Sequence, residues 1–169
     1  MRKQQKINPK FKVHIRSVKR GDEKTFLSLI DALADYEKLK RPTKAARTRL
    51  VNDGFGKRKR YSAFLAFAGN KAVGYAIIFE TYSSFLALPT LYLEDIFILP
   101  HYRSYGIGKK LFRHCLREAK NRGCGRMECV VLDWNKNAIR FYEKLGARHL
   151  KEWFTFRLDK KQFKGLLLK

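Results

Sequence analysis

The stretch LYLEDIFILPHYRSYGIGKKLF, residues 91–112, decides the fold. Residues 91–99 are nearly all apolar, which is typical of a strand covered on both faces of a sheet. The segment Arg103-Ser-Tyr-Gly-Ile-Gly108 follows and leads into a helical pattern. Its two glycines allow the backbone to approach a bulky anion, and the N-terminus of the next helix is electropositive. The stretch therefore predicts a strand, a diphosphate-binding loop and a helix, in that order.

Apolar periodicity and turn residues predict the elements on either side of this stretch. In chain order they are a strand over 11–18, a helix capped by Asp22 and ending near 37–39, a helix from Thr43 to about Val51, a turn over 52–56, strands over 61–68 and 71–82, a loop over 83–90, the strand 91–99, a helix over 106–122, a strand over 126–132, a helix between Asn135 and Gly146, a strand over 153–158 and a short terminal helix. A helical crossover makes strands 91–99 and 126–132 parallel, whereas the earlier strands pair antiparallel. The prediction is a mixed α/β sheet.

Length and composition predict one soluble, globular domain over residues 13–169, preceded by a flexible basic arm over 1–12. The 169 residues include 45% hydrophobic side chains, but no apolar run is long enough to span a membrane. The residues after Met1 predict no signal peptide, and Cys115, Cys124 and Cys129 match no zinc spacing and predict a reduced chain. These features favour a cytoplasmic protein.

The net charge of +23 favours polyanionic partners such as nucleic acid, a membrane surface or a phosphorylated cofactor. Residues 1–20 carry eight Lys or Arg and no acid, and residues 38–60 carry ten against Asp53 alone. By contrast, five acids lie between residues 22 and 37, and Glu94 with Asp95 interrupts the apolar strand. This local acidic exception favours a cationic substrate.

The loop Arg103-Ser-Tyr-Gly-Ile-Gly108 resembles the Arg/Gln-x-x-Gly-x-Gly/Ala signature of the GNAT acetyltransferases. It matches neither a Walker loop nor the Rossmann glycine spacing. Further segments are similar to the spermidine/spermine acetyltransferase branch, which includes thialysine acetyltransferases: Asn52-Asp-Gly-Phe-Gly56, Tyr92-Leu-Glu-Asp95, Trp134-Asn135, Phe141-Tyr142 and Leu145-Gly-Ala147. The resemblance implies a GNAT fold of six to seven strands, splayed at a cofactor cleft and flanked by four to five helices. It also implies a homodimer formed through strand 153–158.

The resemblance further implies that acetyl-CoA binds along the central strand and the glycine loop. The residues that would contact it are Ile96, Phe97 and Ile98 on the strand, Arg103, Ser104, Tyr105, Gly106, Ile107, Gly108 and Lys109 in the loop, and Asn135, Lys136, Asn137 and Tyr142 on the far side. A strand amide would also polarise the thioester carbonyl.

Transfer of an acetyl group to an amine needs a proton acceptor for the amine and a proton donor for the departing thiolate. The resemblance places Tyr142 at the catalytic tyrosine, and a phenol with pKa near 10 is protonated at neutral pH and able to donate. Glu94 is either the proton acceptor or an anchor for the cationic end of the substrate. Asp95 points to the opposite face of a regular strand and is interpreted as structural.

The acceptor is the open part of the prediction. The resemblance places substrate contacts at Tyr36 and Glu37, beside Asp35. The basic loop Lys38-Leu-Lys-Arg41 departs from the acidic loop of the polyamine enzymes, so a polyamine, a diamine, a lysine analogue and a protein amine all remain open. A separate hypothesis is a basic nucleic-acid-binding module on the same scaffold, favoured by residues 1–20 and by Arg58-Lys-Arg60. The four dispersed histidines predict no metal site.

Overall fold

The structure is a computed structural model, and it describes residues 12–167 of the chain. The predicted basic arm lies outside the described residues except for Lys12. The chain forms two compact units that divide between Val130 and Val131, and each unit is described separately below. No helix among residues 12–167 is long and apolar enough to cross a membrane.

The first unit contains a five-stranded mixed sheet. Its strands, in the same order along the chain and across the sheet, are β1 Val13–Ser17, β2 Ser62–Ala68, β3 Lys71–Ser83, β4 Leu88–Ile98 and β5 Arg126–Glu128. The first four strands pair antiparallel, and β4 pairs parallel with β5. The predicted mixed sheet is therefore confirmed.

The prediction of six to seven strands is wrong for the described residues, which form five. Trp153–Leu158 has no strand geometry, and the strand predicted over 126–132 ends at Glu128. An alternating apolar pattern produces a strand only where the backbone groups find a partner strand. Residues 153–158 pair with no strand of this sheet, and the side chains of Trp153 and Phe156 are 76% and 92% exposed.

Five α-helices agree with the expected four to five. They are α1 Glu23–Tyr36, α2 Lys44–Phe55 and α3 Ile107–Asn121 in the first unit, and α4 Lys136–Lys144 and α5 Lys160–Leu167 in the second. A short 3-10 turn, Pro100–Tyr102, precedes the glycine loop. Helix α2 includes residues 52–55, which were predicted as a turn, because Phe55 packs against Phe26 of α1 with ring centroids 5.6 Å apart.

The caps of the first two helices differ. Thr43 caps α2 as predicted, since its hydroxyl accepts a hydrogen bond from the Ala46 amide at 3.3 Å. Asp22 occupies the N-cap position of α1, but its carboxylate is held by Arg16 at 2.6 Å and by the Lys19 amide instead of by the helix.

The sheet is covered on both faces. On one face, Phe26 and Leu29 of α1 form a core with Leu65, Tyr75 and Phe97 of the strands. Phe64 points to the opposite face by strand alternation, where it contacts His114 of α3. The side chains of α3 that are buried are Ile107, Leu111, Phe112, Cys115 and Ala119. Strand β4 is therefore covered on both faces.

The hairpin of β3 and β4 is longer than predicted. Leu88 to Thr90 were predicted as loop, but they pair with Ser83 to Thr81 and belong to β4. Near the other end of the hairpin, Gly74 faces Ile98, and a Cβ atom there would overlap the Phe97 carbonyl and the Ile98 side chain. Glycine is required at this position because the two backbones approach so closely.

Candidate functional site

The glycine loop begins helix α3 with an unusual backbone. Ser104 and Gly106 have φ values of +66° and +78°, and Gly106 is the N-cap residue. A left-handed conformation is least costly for glycine, which suits Gly106 to the turn, whereas Ser104 adopts it at an energetic cost. The amides of Ile107, Gly108 and Lys109 lie in the first turn of α3 and have no acceptor within the helix. The loop thus presents a set of main-chain donors at an electropositive helix end, which fits a diphosphate.

The C-terminal half of β4 has an open edge. Strand β5 pairs with β4 only at residues Thr90 to Tyr92, whereas β3 pairs with β4 as far as Ile98. Among the described residues, no strand covers the second edge of β4 beyond Tyr92. Since the Leu99 amide donates to the Val73 carbonyl, antiparallel alternation turns the backbone groups of Phe97 toward β3 and those of Ile96 and Ile98 toward the open edge.

Arg103 joins the loop to two other elements. Its Nε donates a hydrogen bond to the Ile98 carbonyl at 2.9 Å. Its guanidinium carbon lies 4.3 Å from the ring centroid of Tyr36 and 5.5 Å from that of Phe97. The first residue of the glycine loop is therefore held against the end of β4 and the end of α1.

The two carboxylates of β4, Glu94 and Asp95, lie at a β-bulge. Ile77 pairs with Asp95 and Ile78 with Leu93, so Glu94 is the extra residue on β4. The bulge changes the alternation of side chains, since Leu93 and Asp95 now face opposite sides of the sheet. Glu94 itself is exposed.

Asp95 faces the core between the sheet and α1. The Tyr75 hydroxyl donates to its Oδ2 atom at 3.0 Å. Burial raises the pKa of Asp95 to about 6, against the hydrogen bond from Tyr75, which lowers it, and the negative charges of Glu94 and Glu37 raise it further. Burial also raises the pKa of Tyr75 well above its usual range. The interpretation of Asp95 as a structural residue agrees with this buried contact.

Glu37 caps the end of α1 beside Tyr36, and burial raises the pKa of its carboxyl group. The structure therefore brings Glu37, Glu94 and Asp95 close enough to interact electrostatically. None of the six ion pairs that residues 12–167 form involves these three carboxylates. Asp35 differs, because both of its oxygens bind Arg41, at 2.7 and 2.6 Å.

The remaining predicted residues lie in the second unit, at the start of α4. The Asn135 side chain accepts a hydrogen bond from the Ala138 amide at 3.2 Å and caps the helix as predicted. The Asn137 side chain accepts one from Arg140 at 2.9 Å. Tyr142 lies one turn further along α4, with its ring 5.3 Å from that of Phe141.

Sequence reasoning missed two features of the first unit. The contact of Arg103 with Tyr36 joins residues that are far apart in the chain, and no sequence pattern indicates it. The bond between Tyr75 and Asp95 was likewise not predicted, although an aspartate within an apolar strand indicates that a partner is needed.

These elements can be compared with known proteins. The sequence matches the Acetyltransferase (GNAT) family over residues 26–147. The chain belongs to the GNAT acetyltransferase family. It is accordingly an acetyltransferase, as the resemblance of the loop and of the following segments indicated.

Its curated relatives act on amines, by their names. Thialysine N-epsilon-acetyltransferase of Sus scrofa is 37% identical over 158 residues, which cover 87% of this chain and 92% of that protein. L-ornithine N5-acetyltransferase of Arabidopsis thaliana is 47% identical over 85 residues, or 50% of this chain and 37% of that protein. Among solved structures, an aminoglycoside N-acetyltransferase in complex with CoA has a TM-score of 0.73 and 22% identity and covers 88% of this chain and 95% of that one, which shows the common GNAT fold.

Proposed function

We propose that this GNAT enzyme transfers an acetyl group from acetyl-CoA to the primary amine of a small molecule that carries a second cationic group. The observation that carries the proposal is the cluster of Glu37, Glu94 and Asp95 in a protein with a net charge of +23. Glu37 and Glu94 pair with no cation among residues 12–167 and suit a substrate with two ammonium groups, and the structural carboxylate of Asp95 adds negative charge nearby.

The chain fits acetyl-CoA on two grounds. The amides of Ile107, Gly108 and Lys109 suit the diphosphate, and Ser104, Tyr105 and Gly106 form the turn before them. The open edge of β4 suits the amide groups of the pantetheine arm, through Ile96 and the amide of Ile98, since the Ile98 carbonyl already accepts from Arg103. Asn135, Lys136, Asn137 and Tyr142 are proposed contacts from the second unit.

Acetyl-CoA supplies the acetyl group as a thioester. In the proposed reaction Glu94 takes a proton from the substrate ammonium, directly or through a water molecule. The neutral nitrogen then forms the new N–C bond while the C–S bond breaks. Tyr142 gives a proton to the departing sulfur and regains one when the nitrogen loses its second proton, and the proton held by Glu94 passes to solvent. Tyr36 and Glu37 hold the second ammonium group.

The similarity to thialysine and ornithine acetyltransferases favours an amino acid with a side-chain amine over a polyamine. Lys38 follows Glu37 and is exposed, with φ at +58°. A cation beside the acidic cluster suits the carboxylate of an amino acid and disfavours a long polyamine. The family resemblance alone supports a homodimer in this proposal. Residues 153–158, through which the dimer was predicted to form, are not a strand.

An amine panel with acetyl-CoA, read by thiol release, tests the proposal. Ornithine and 1,4-diaminobutane differ only by the carboxylate, so a higher kcat/KM for ornithine supports an amino acid substrate. Thialysine, spermidine and a peptide with a free N-terminus complete the panel. Thiol release with the peptide alone would overturn the small-molecule proposal and favour a protein acetyltransferase.

A further inference from the structure

We infer that α3 and β1 form a binding face for the phosphate backbone of nucleic acid. A pocket of about 290 Å³ lies between these two elements, and its lining residues are Val13, Ile15, Lys110, Arg113, His114 and Arg117. The inference is independent of the proposed acetyl acceptor.

The charge of this pocket is entirely positive. Lys110, Arg113 and Arg117 are exposed, and none of the six ion pairs among residues 12–167 includes them. Among residues 12–167, no acidic side chain lines the pocket. The nearby Glu118 is held by Arg122 at 2.9 Å. Three cations that have no counter-charge in the part of the chain that the structure describes attract an anionic ligand.

His114 contributes an uncharged ring to the wall of the pocket. Its ring packs edge-on against Phe64 with centroids 4.4 Å apart, and its Nδ1 lies 3.5 Å from Arg117 Nη2. Burial, followed by the charge of Arg117, lowers the pKa of His114. The imidazole is therefore neutral at pH 7, and the three cations provide the attraction.

The spacing of the cations suits a chain of phosphates. Lys110, Arg113 and Arg117 follow one another at three and four residues and lie along one face of α3. Seven residues of helix span about 10 Å. Successive nucleotides in one strand of a duplex rise by about 3.4 Å, so three phosphates lie within reach of this row.

The chemistry of α3 favours nucleic acid over a lipid surface. Its apolar side chains Ile107, Leu111 and Cys115 are buried against the sheet, and on the exposed face Leu116 is 43% exposed among the basic residues. A helix that binds a membrane surface needs an apolar face to insert, and that face of α3 is already covered. No aromatic side chain other than His114 lines the pocket, so the contact is with the backbone and not with the bases.

The face runs along α3 away from the acetyl-CoA site that we propose, and it begins at Lys110, the residue after Lys109. Strand β1 is at one edge of the sheet, and the open edge of β4 is three strand spacings away, about 14 Å.

The test is fluorescence anisotropy of the full-length enzyme with a labelled 20-nucleotide RNA of mixed sequence, between 50 and 300 mM salt. The variant Lys110→Gln/Arg113→Gln/Arg117→Gln should bind at least tenfold more weakly at 100 mM salt. Its slope of log K against log salt should be shallower by about 2, since each lost phosphate contact with a single strand removes about 0.7.

The matched comparison is Arg58→Gln/Lys59→Gln/Arg60→Gln, which removes the same charge from the exposed segment after α2 that the sequence also suggested for nucleic acid but that does not line the pocket. It should weaken binding less than threefold. Thiol release by both variants at the rate of the original enzyme shows that they are folded. Equal losses in the two variants, no RNA binding at 50 mM salt, or binding to phosphatidylserine vesicles but not to RNA would each overturn the inference.

Discussion

The glycine loop and the acidic cluster lie at the same end of β4, but they are built in different ways. The loop offers main-chain amides, and its shape depends on φ at Ser104 and Gly106 and on the start of α3. The cluster offers side-chain carboxylates from α1 and from the bulge of β4. The glycine loop therefore depends on local backbone geometry, whereas the acidic cluster depends on contacts between distant segments.

The largest expected effect is that of Tyr142→Phe. This substitution should leave the glycine loop and the acidic cluster unchanged. Loss of the proton donor should lower kcat about 100-fold, with KM for acetyl-CoA and for the amine changed less than twofold. Steady-state thiol release measures all three constants. Tyr82→Phe removes an exposed hydroxyl and serves as the control. A kcat within threefold of the original would remove Tyr142 from the proposed role.

Burial of the ionised Asp95 carboxylate lowers the stability of the folded protein. The substitution Asp95→Asn should remove this cost. Because the folded protein raises the pKa of Asp95 to about 6 from 3.8, it binds this proton more tightly than the unfolded chain does. The stability contributed by Asp95 is therefore lost as the pH rises from about 4 to 6. Asparagine still accepts from Tyr75 but does not ionise.

We expect Asp95→Asn to match the original at pH 4 and to exceed it by an amount on the order of 2 kcal/mol at pH 7. Urea unfolding at several pH values measures the difference. Parallel stability curves across this range would show that the carboxylate of Asp95 is not strained by burial.

On the donor side, Gly106→Ala should weaken acetyl-CoA binding. An L residue at φ +78° costs about 1–2 kcal/mol, so KM for acetyl-CoA should rise about tenfold while KM for the amine stays within twofold. Gly123→Ala is a matched control, since Gly123 also has a positive φ, +67°, and lies at the other end of α3. If both variants change KM equally, a general loss of stability explains the result and the loop has no special part in it.

A smaller effect is expected for Glu37→Gln. Loss of one partly exposed ion pair with the second ammonium should raise KM for a diamine about fivefold, with kcat nearly unchanged. Asp35→Asn should leave KM unchanged, because Asp35 is already paired with Arg41. Amine titrations at saturating acetyl-CoA compare the two, and equal KM values would contradict the acidic acceptor site.

The glycine loop and the start of α3 could be predicted from the sequence because the signals there are local. An apolar run, the two glycines of Gly106-Ile-Gly108 and a helical repeat are contiguous, and each is a property of the nearby chain. The acceptor side could be predicted only as a set of acids. The bulge at Glu94 depends on the pairing of β4 with β3, and strict alternation cannot show it.

The predicted strand 153–158 was wrong for a related reason. Its alternating apolar residues satisfy the pattern, but pairing with a partner strand is a property of the tertiary structure. Helix α2 was predicted too short because the turn residues Asn52, Asp53 and Gly54 outweighed the packing of Phe55 on Phe26. In both cases a long-range contact decides what the local pattern leaves open.

The position of Arg103 has a thermodynamic consequence. Its guanidinium group donates a hydrogen bond to the Ile98 carbonyl and stacks on the Tyr36 ring, so Arg103 links the position of the loop to that of the end of α1. If acetyl-CoA tightens the binding of the amine by some factor, linkage requires the amine to tighten the binding of acetyl-CoA by the same factor. Arg103→Lys keeps the charge but loses the planar stacking, so calorimetric titrations of this variant should give a coupling factor close to one. This result would show that Arg103 couples the binding of acetyl-CoA to the binding of the amine.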